Sequence, residues 1–128
     1  MKIAIAVESA ELKVAKRMGH APWFAIFEII DEQFTLLKLA SNEHAKDHEH
    51  EHYHEENNET EIENHQRYLA PLKGVDAMLS RAVGANMKEA LARENIPVYR
   101  FPLSAGKTAP ELIKFLIQNR DGLEDFKI

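Results

Sequence analysis

Between Asn42 and Arg67 the chain reads EHAKDHEHEHYHEENNETEIENHQ, which sets His44, His48, His50, His52, His54 and His65 among nine carboxylates. Neutral imidazole is a good donor to borderline transition metals such as zinc, nickel, copper and ferrous iron, and interleaved carboxylates add charge and harder oxygen ligands. Spacing decides how the histidines act together. His48, His50, His52 and His54 alternate, so an extended backbone lines them along one face; a helical turn instead pairs His44 with His48, His48 with His52, and His50 with His54. Both conformations offer two or more ligands at once. The same composition also describes a solvated acidic loop whose histidines bind metal only adventitiously, because it buries too little apolar surface to fold alone. The segment is too degenerate to choose among metals.

The elements that must carry this segment belong to a short chain. Its 128 residues, 45% hydrophobic, fit a single domain over residues 1–128 with an acidic, histidine-rich loop at 43–59. No apolar run approaches the roughly 20 residues that span a bilayer, and the opening MKIAIAVES lacks a signal peptide's long apolar region. A soluble cytoplasmic protein, with no membrane partner, is the expectation. The absence of cysteine excludes disulfides and a self-contained thiolate-ligated cluster, so a metal must be held by nitrogen and oxygen or bring its own sulfide.

The formal charge of -5 is unevenly spread: residues 43–63 hold nine acids and one lysine, leaving 15 basic against 12 acidic residues elsewhere, a body of +3. That body has no dense basic stripe or stacking aromatics, and nucleic acid is not an expected partner. A small anionic ligand is compatible. Catalytic signatures are missing as well. Ser104–Thr108 imitates a phosphate loop, but the earlier glycine that such a loop needs falls at Phe101. Glu8 and Asp76, two isolated acids at strand ends, are weak grounds for a two-metal nuclease. There is no nucleophile–base constellation, so an enzyme is not expected.

Lys2–Val7 reads as a strand, and Phe24–Ile30 and Phe34–Ala40 as two more joined by a hairpin at Asp31-Glu32-Gln33, all buried on both faces. Thr60-Glu61-Ile62-Glu63 has the form of a capping box, followed at helical spacing by Ile62, His65, Leu69 and Leu72, with Gly74 ending the helix. His65 therefore falls on the apolar stripe. Val75–Leu79 reads as a strand, Val83, Met87, Ala90 and Leu91 as a helix starting near Gly84, and Ile96–Phe101 as the last strand. Thr108-Ala109-Pro110-Glu111 opens a final helix with Leu112, Ile113, Leu116 and Ile117 inward, and the tail from Asp121 is expected to be loosely held. This order predicts a three-layer α/β domain with a mixed sheet of about five strands and an N-terminal β-hairpin unit. Ligands in such sheets bind beyond the carboxyl ends of parallel strands, where the connections 8–23, 80–84 and 102–108 should gather.

The opening MKIAIAVES, the segment Met18-Gly19-His20-Ala21-Pro22-Trp23-Phe24, the run Val75–Leu79 leading into Val83-Gly84-Ala85-Asn86, Glu94–Tyr99 and Gly106–Glu111 together resemble the dinitrogenase iron-molybdenum cofactor biosynthesis family over nearly the whole chain. The resemblance implies a ribonuclease H-like α/β/α fold and non-catalytic binding or delivery of an iron-sulfur or iron-molybdenum cluster. Gly19, His20, Gly84 and Ala85 are then the candidate cofactor-binding positions, with the six histidines His44 to His65 as candidate metal ligands. Gly19 and Gly84 also admit a simpler role as turn formers, and His20 one as a solvent-exposed side chain. The competing expectation is a regulatory protein whose acidic loop contacts a partner, such as a metal-handling accessory ATPase, or buffers zinc or nickel.

Overall fold

The computed structural model describes residues 1–43 and 58–128. Five strands form one mixed sheet: β1 (Lys2–Val7), β2 (Trp23–Ile30), β3 (Gln33–Ser41), β4 (Ala77–Leu79) and β5 (Val98–Tyr99), in the order β3-β2-β1-β4-β5. β1 pairs antiparallel with β2 and parallel with β4, β4 pairs parallel with β5, and β2 and β3 make the expected hairpin. The hairpin turns at Asp31, whose φ of 57° lies in the left-handed region that a short Asp side chain tolerates.

Alternation along the central strands feeds two cores. Ala4, Ala6, Phe24, Ile26 and Met78 face α1 (Asn58–Tyr68) and α2 (Ala85–Arg93), meeting Ile62, Met87, Ala90 and Leu91. Ile3, Ile5, Val7, Phe27 and Leu79 face the other way, onto Leu112, Ile113 and Leu116 of α3 (Ala109–Gln118). The result is the expected three-layer α/β/α arrangement, because a strand apolar at both even and odd positions must be covered on both faces.

Several local expectations differ from the structure. β3 is not buried on both faces: Leu36, Leu37 and Leu39 are exposed, since β3 is an edge strand that the helices do not cover. A bulge opposite Ile26 and Phe27 leaves Leu37 out of register. β4 and β5 are shorter than their apolar runs, and Pro97, with no N–H to give the ladder, marks where β5 can begin. α1 starts at Asn58, ahead of Thr60, and ends at Tyr68, so Leu69 and Leu72 are buried by a following 3-10 turn (Ala70–Leu72) instead of the helix.

The tail is not loose. Its 3-10 segment (Arg120–Phe126) folds Phe126 onto Phe101 and Phe115, with ring centroids 5.2 and 5.5 Å away. The Ile128 amide then donates to the Val98 carbonyl at 3.0 Å and the Arg100 amide to Phe126 at 2.9 Å, so the tail runs beside β5. Among the described residues no helix is long and apolar enough to cross a membrane.

Candidate functional site

The parallel strands β1, β4 and β5 end on one side of the sheet, and the three connections that leave them are tied to one another there. The Met18 amide donates to the Ala82 carbonyl at 3.0 Å, and Arg17 bridges Ala82, docking the first connection on the second. Val14 donates to Lys107 at 2.9 Å and Ala109 to Leu12 at 2.8 Å, docking the first on the third. The Arg81 guanidinium joins the second to the third through the carbonyls of Phe101, Pro102 and Gly106. Gly106 has to be glycine: its φ is 151°, and a Cβ there would collide with that of Glu111.

The first connection carries two of the candidate positions. Met18–His20 is a 3-10 turn anchored by the fully buried Met18 side chain, with Gly19 half-buried and His20 exposed. His20 lines a cavity of about 330 Å³ together with Glu8, Ala15, Lys16 and Arg17. Lys16 and Arg17 are exposed, and Glu8 is ion-paired to Lys13 at 3.1 Å, which gives this edge a cationic bias. The turn is gripped from the opposite side by Asn42, a fully buried polar residue at the end of the hairpin unit. Its Nδ2 donates to the carbonyls of Met18 (3.1 Å) and Ala21 (2.8 Å), and its main-chain N–H to Pro22 (2.9 Å).

Gly84 and Ala85 open α2 beside this turn, and both are exposed. The turn-former reading of Gly84 does not hold. Its φ of -66° and ψ of 158° suit any residue, and a Cβ built there meets nothing within 4 Å. Among the described residues, neither backbone angles nor crowding demands glycine at this N-cap position.

His65 is half-buried on α1, with Nδ1 2.6 Å from the Glu61 carbonyl one turn earlier. A neutral imidazole that donates from Nδ1 has its lone pair on Nε2, the tautomer needed for metal ligation through that nitrogen. Among the described residues no three His, Asp or Glu side chains come together to hold a metal ion. His44, His48, His50, His52 and His54 lie outside the described residues. α1 is tied to α2 by polar contacts: Arg93 holds both Glu59 carboxylate oxygens, at 2.6 and 2.9 Å, and Asn86 Nδ2 donates to Glu61 at 2.5 Å. The hydrogen bond from Arg93 holds the Glu59 carboxyl below its usual range, and Glu59 in turn raises the guanidinium.

Glu8 and Asp76 cannot share metals. Asp76 accepts the Lys2 amide at 2.7 Å at the start of the sheet, and Glu8 lies six residues farther along β1, roughly 20 Å away at about 3.3 Å per residue. Asn42 and Arg81, by contrast, escaped sequence reasoning as structural ties of the site. A single Asn after a strand reads as a turn residue, and Arg81 as a surface charge.

The model of the family described as "Dinitrogenase iron-molybdenum cofactor" matches residues 1–119. Solved structures share the fold. The apo form of the orange protein from Desulfovibrio gigas is 22% identical, with 95% of this chain and 88% of that one covered and a TM-score of 0.62. The Thermotoga protein TM1290 is 24% identical over 93% and 89% of the two chains, with a TM-score of 0.61. The Methanocaldococcus jannaschii protein MJ0327 is 16% identical over 100% and 94%, with a TM-score of 0.60. None of the curated proteins matches the chain.

Proposed function

From the premise that this chain belongs to the dinitrogenase iron-molybdenum cofactor family, we propose that it is a non-catalytic carrier of a metal or of an anionic metal-sulfur cluster. The observation that carries the reading is Gly84. It is a glycine with ordinary dihedrals and open space around it, at the head of α2, where the three connections are tied together. Close approach of a ligand to the backbone is a physical reason for a missing side chain there, beside the ordinary fitness of glycine as a helix N-cap. Gly19, His20 and Ala85 complete the candidate contact surface, and Lys16 and Arg17 supply positive charge.

The donor chemistry fits such cargo. With no cysteine in the chain, a cluster must arrive with its own sulfide and be held by imidazole nitrogen, backbone N–H and charge. In this reading His44, His48, His50, His52 and His54 recruit metal, with His65 as a ligand in the last turn of α1 and zinc or nickel as the alternative cargo. The orange protein supports it indirectly, through a solved form that is called apo.

The test is metal and acid-labile sulfide analysis of untagged protein purified anaerobically from its native host, beside the variant His48→Ala, His50→Ala, His52→Ala. Stoichiometric iron with sulfide, lost in the variant, is the expected result. Zinc or nickel without sulfide would make the protein a metallochaperone or buffer, and no metal in either sample would overturn the carrier reading. Because protons compete for imidazole nitrogen, metal affinity of the histidine segment should fall below a pH of about 6.5. A binding isotherm unchanged between about pH 8 and about pH 5.5 would remove the histidines from the ligand set.

A further inference from the structure

The polar residue most deeply buried beside the candidate site is one that touches no part of the cavity. Asn42 is 0% exposed, yet its amide donates to two carbonyls, Met18 and Ala21, which bracket Gly19 and His20. Its own main-chain N–H closes a third bond, to Pro22. Main-chain bonds from Met18 to Ala82 at 3.0 Å, from His20 to Arg17 at 3.3 Å and from Ala21 to Met18 at 3.2 Å work alongside this clamp. A turn this short does not hold its shape alone, and buried carbonyls deprived of their donor would pull it toward water.

We propose that Asn42 is a positioning residue that fixes the Gly19–His20 turn over the cationic cavity of Glu8, Lys16 and Arg17, so that His20 meets an anionic ligand there in one set geometry. The inference rests on the carrier reading given above. Asn42 itself makes no contact with ligand. It acts through the carbonyls it clamps, much as outer hydrogen bonds orient the ligands of a metal site. Among the side chains that could reach from the end of β3, only a carboxamide supplies two N–H groups from one atom without adding charge.

The experiment is a double-mutant cycle on the full chain, with Asn42→Ser, His20→Ala and the pair, using tetrathiomolybdate as a coloured anionic metal-sulfur probe. Serine keeps one donor, which protects the fold, and a urea titration of each variant measures any general loss. Each single change should weaken probe binding about tenfold, and the pair should bind no worse than His20→Ala alone, because both remove one interaction. Losses that multiply in the pair, or wild-type binding in Asn42→Ser, would overturn the proposal. The proton resonances of the His20 ring give a readout free of ligand: they should shift in Asn42→Ser while those of His65 stay put. Wild-type protein that ignores the probe refutes the cluster form of the carrier reading, and with it the anionic ligand of this proposal; unshifted His20 resonances refute the positioning role separately.

Discussion

Two glycines separate what the fold needs from what the proposed ligand would need. Gly106→Ala must place a Cβ against Glu111 at a φ of 151°, so it should cost more than about 1 kcal/mol, read from the urea midpoint. Gly84→Ser should behave oppositely. Serine is a good helix N-cap and the space is open, so the midpoint should hold or rise while ligand loading falls; retained loading would show that no ligand backs onto Gly84. The Glu59–Arg93 pair gives a third residue-scale expectation. Because Glu59 is held below the usual carboxylate range, its contribution is present above the ordinary value and is lost as pH falls through the lower one, a window beneath about pH 4.3. Arg93→Gln should return the Glu59 carboxyl carbon titration to the ordinary range, and an unmoved titration would mean that the contact does not persist in water. At this scale the sequence was half legible. Gly84 and His20 stood out by type and neighbours, whereas Asn42 did not, because its value lies in burial and in two carbonyls more than 20 positions upstream.

At the scale of elements, apolar patterning revealed β1 to the residue, as a short continuous run, and placed α2 and α3 within a residue or two. It failed on β3, where Phe34-Thr35-Leu36-Leu37-Lys38-Leu39 has the composition of an interior strand. Composition cannot say which strand of a hairpin will lie inward; topology put β2 beside β1 and left β3 at the rim. The consequence is measurable. Leu37→Lys, on the bulge, should alter stability by no more than about 0.5 kcal/mol, whereas Phe24→Ala in the core should cost about 3–5 kcal/mol. Equal costs would mean that β3 is covered in solution. The capping box at Thr108 also formed differently from its sequence pattern: the hydroxyl donates to the Glu111 carboxylate at 3.0 Å, and the side chain of Thr108 makes no capping bond to the helix backbone.

For the whole molecule, the expected α/β/α layering holds because β1 is apolar at every position from Ile3 to Val7, and such a strand requires helices above and below. The convergence of the three connections followed from topology alone. The tail was misjudged because Leu123 and Phe126 are too sparse to show a period, and only the Phe101–Phe115 pair, 4.8 Å apart, creates the place they fill. Phe126→Ala should therefore lower stability by at least about 2 kcal/mol, seen as a shifted thermal midpoint; a silent substitution would return the tail to the status of an appendage. The same arrangement bears on how the chain is made. β5 lies between β4 and the residues near 127, and α3 covers one entire face of β1, so a nascent chain that has delivered only its first hundred residues has an open sheet with one face bare. Distant pairings of this kind form late and slowly. On the carrier reading proposed above, only finished molecules take up cargo, and a ribosome stalled before α3 would display a sticky half-sheet to the chaperones of the cell.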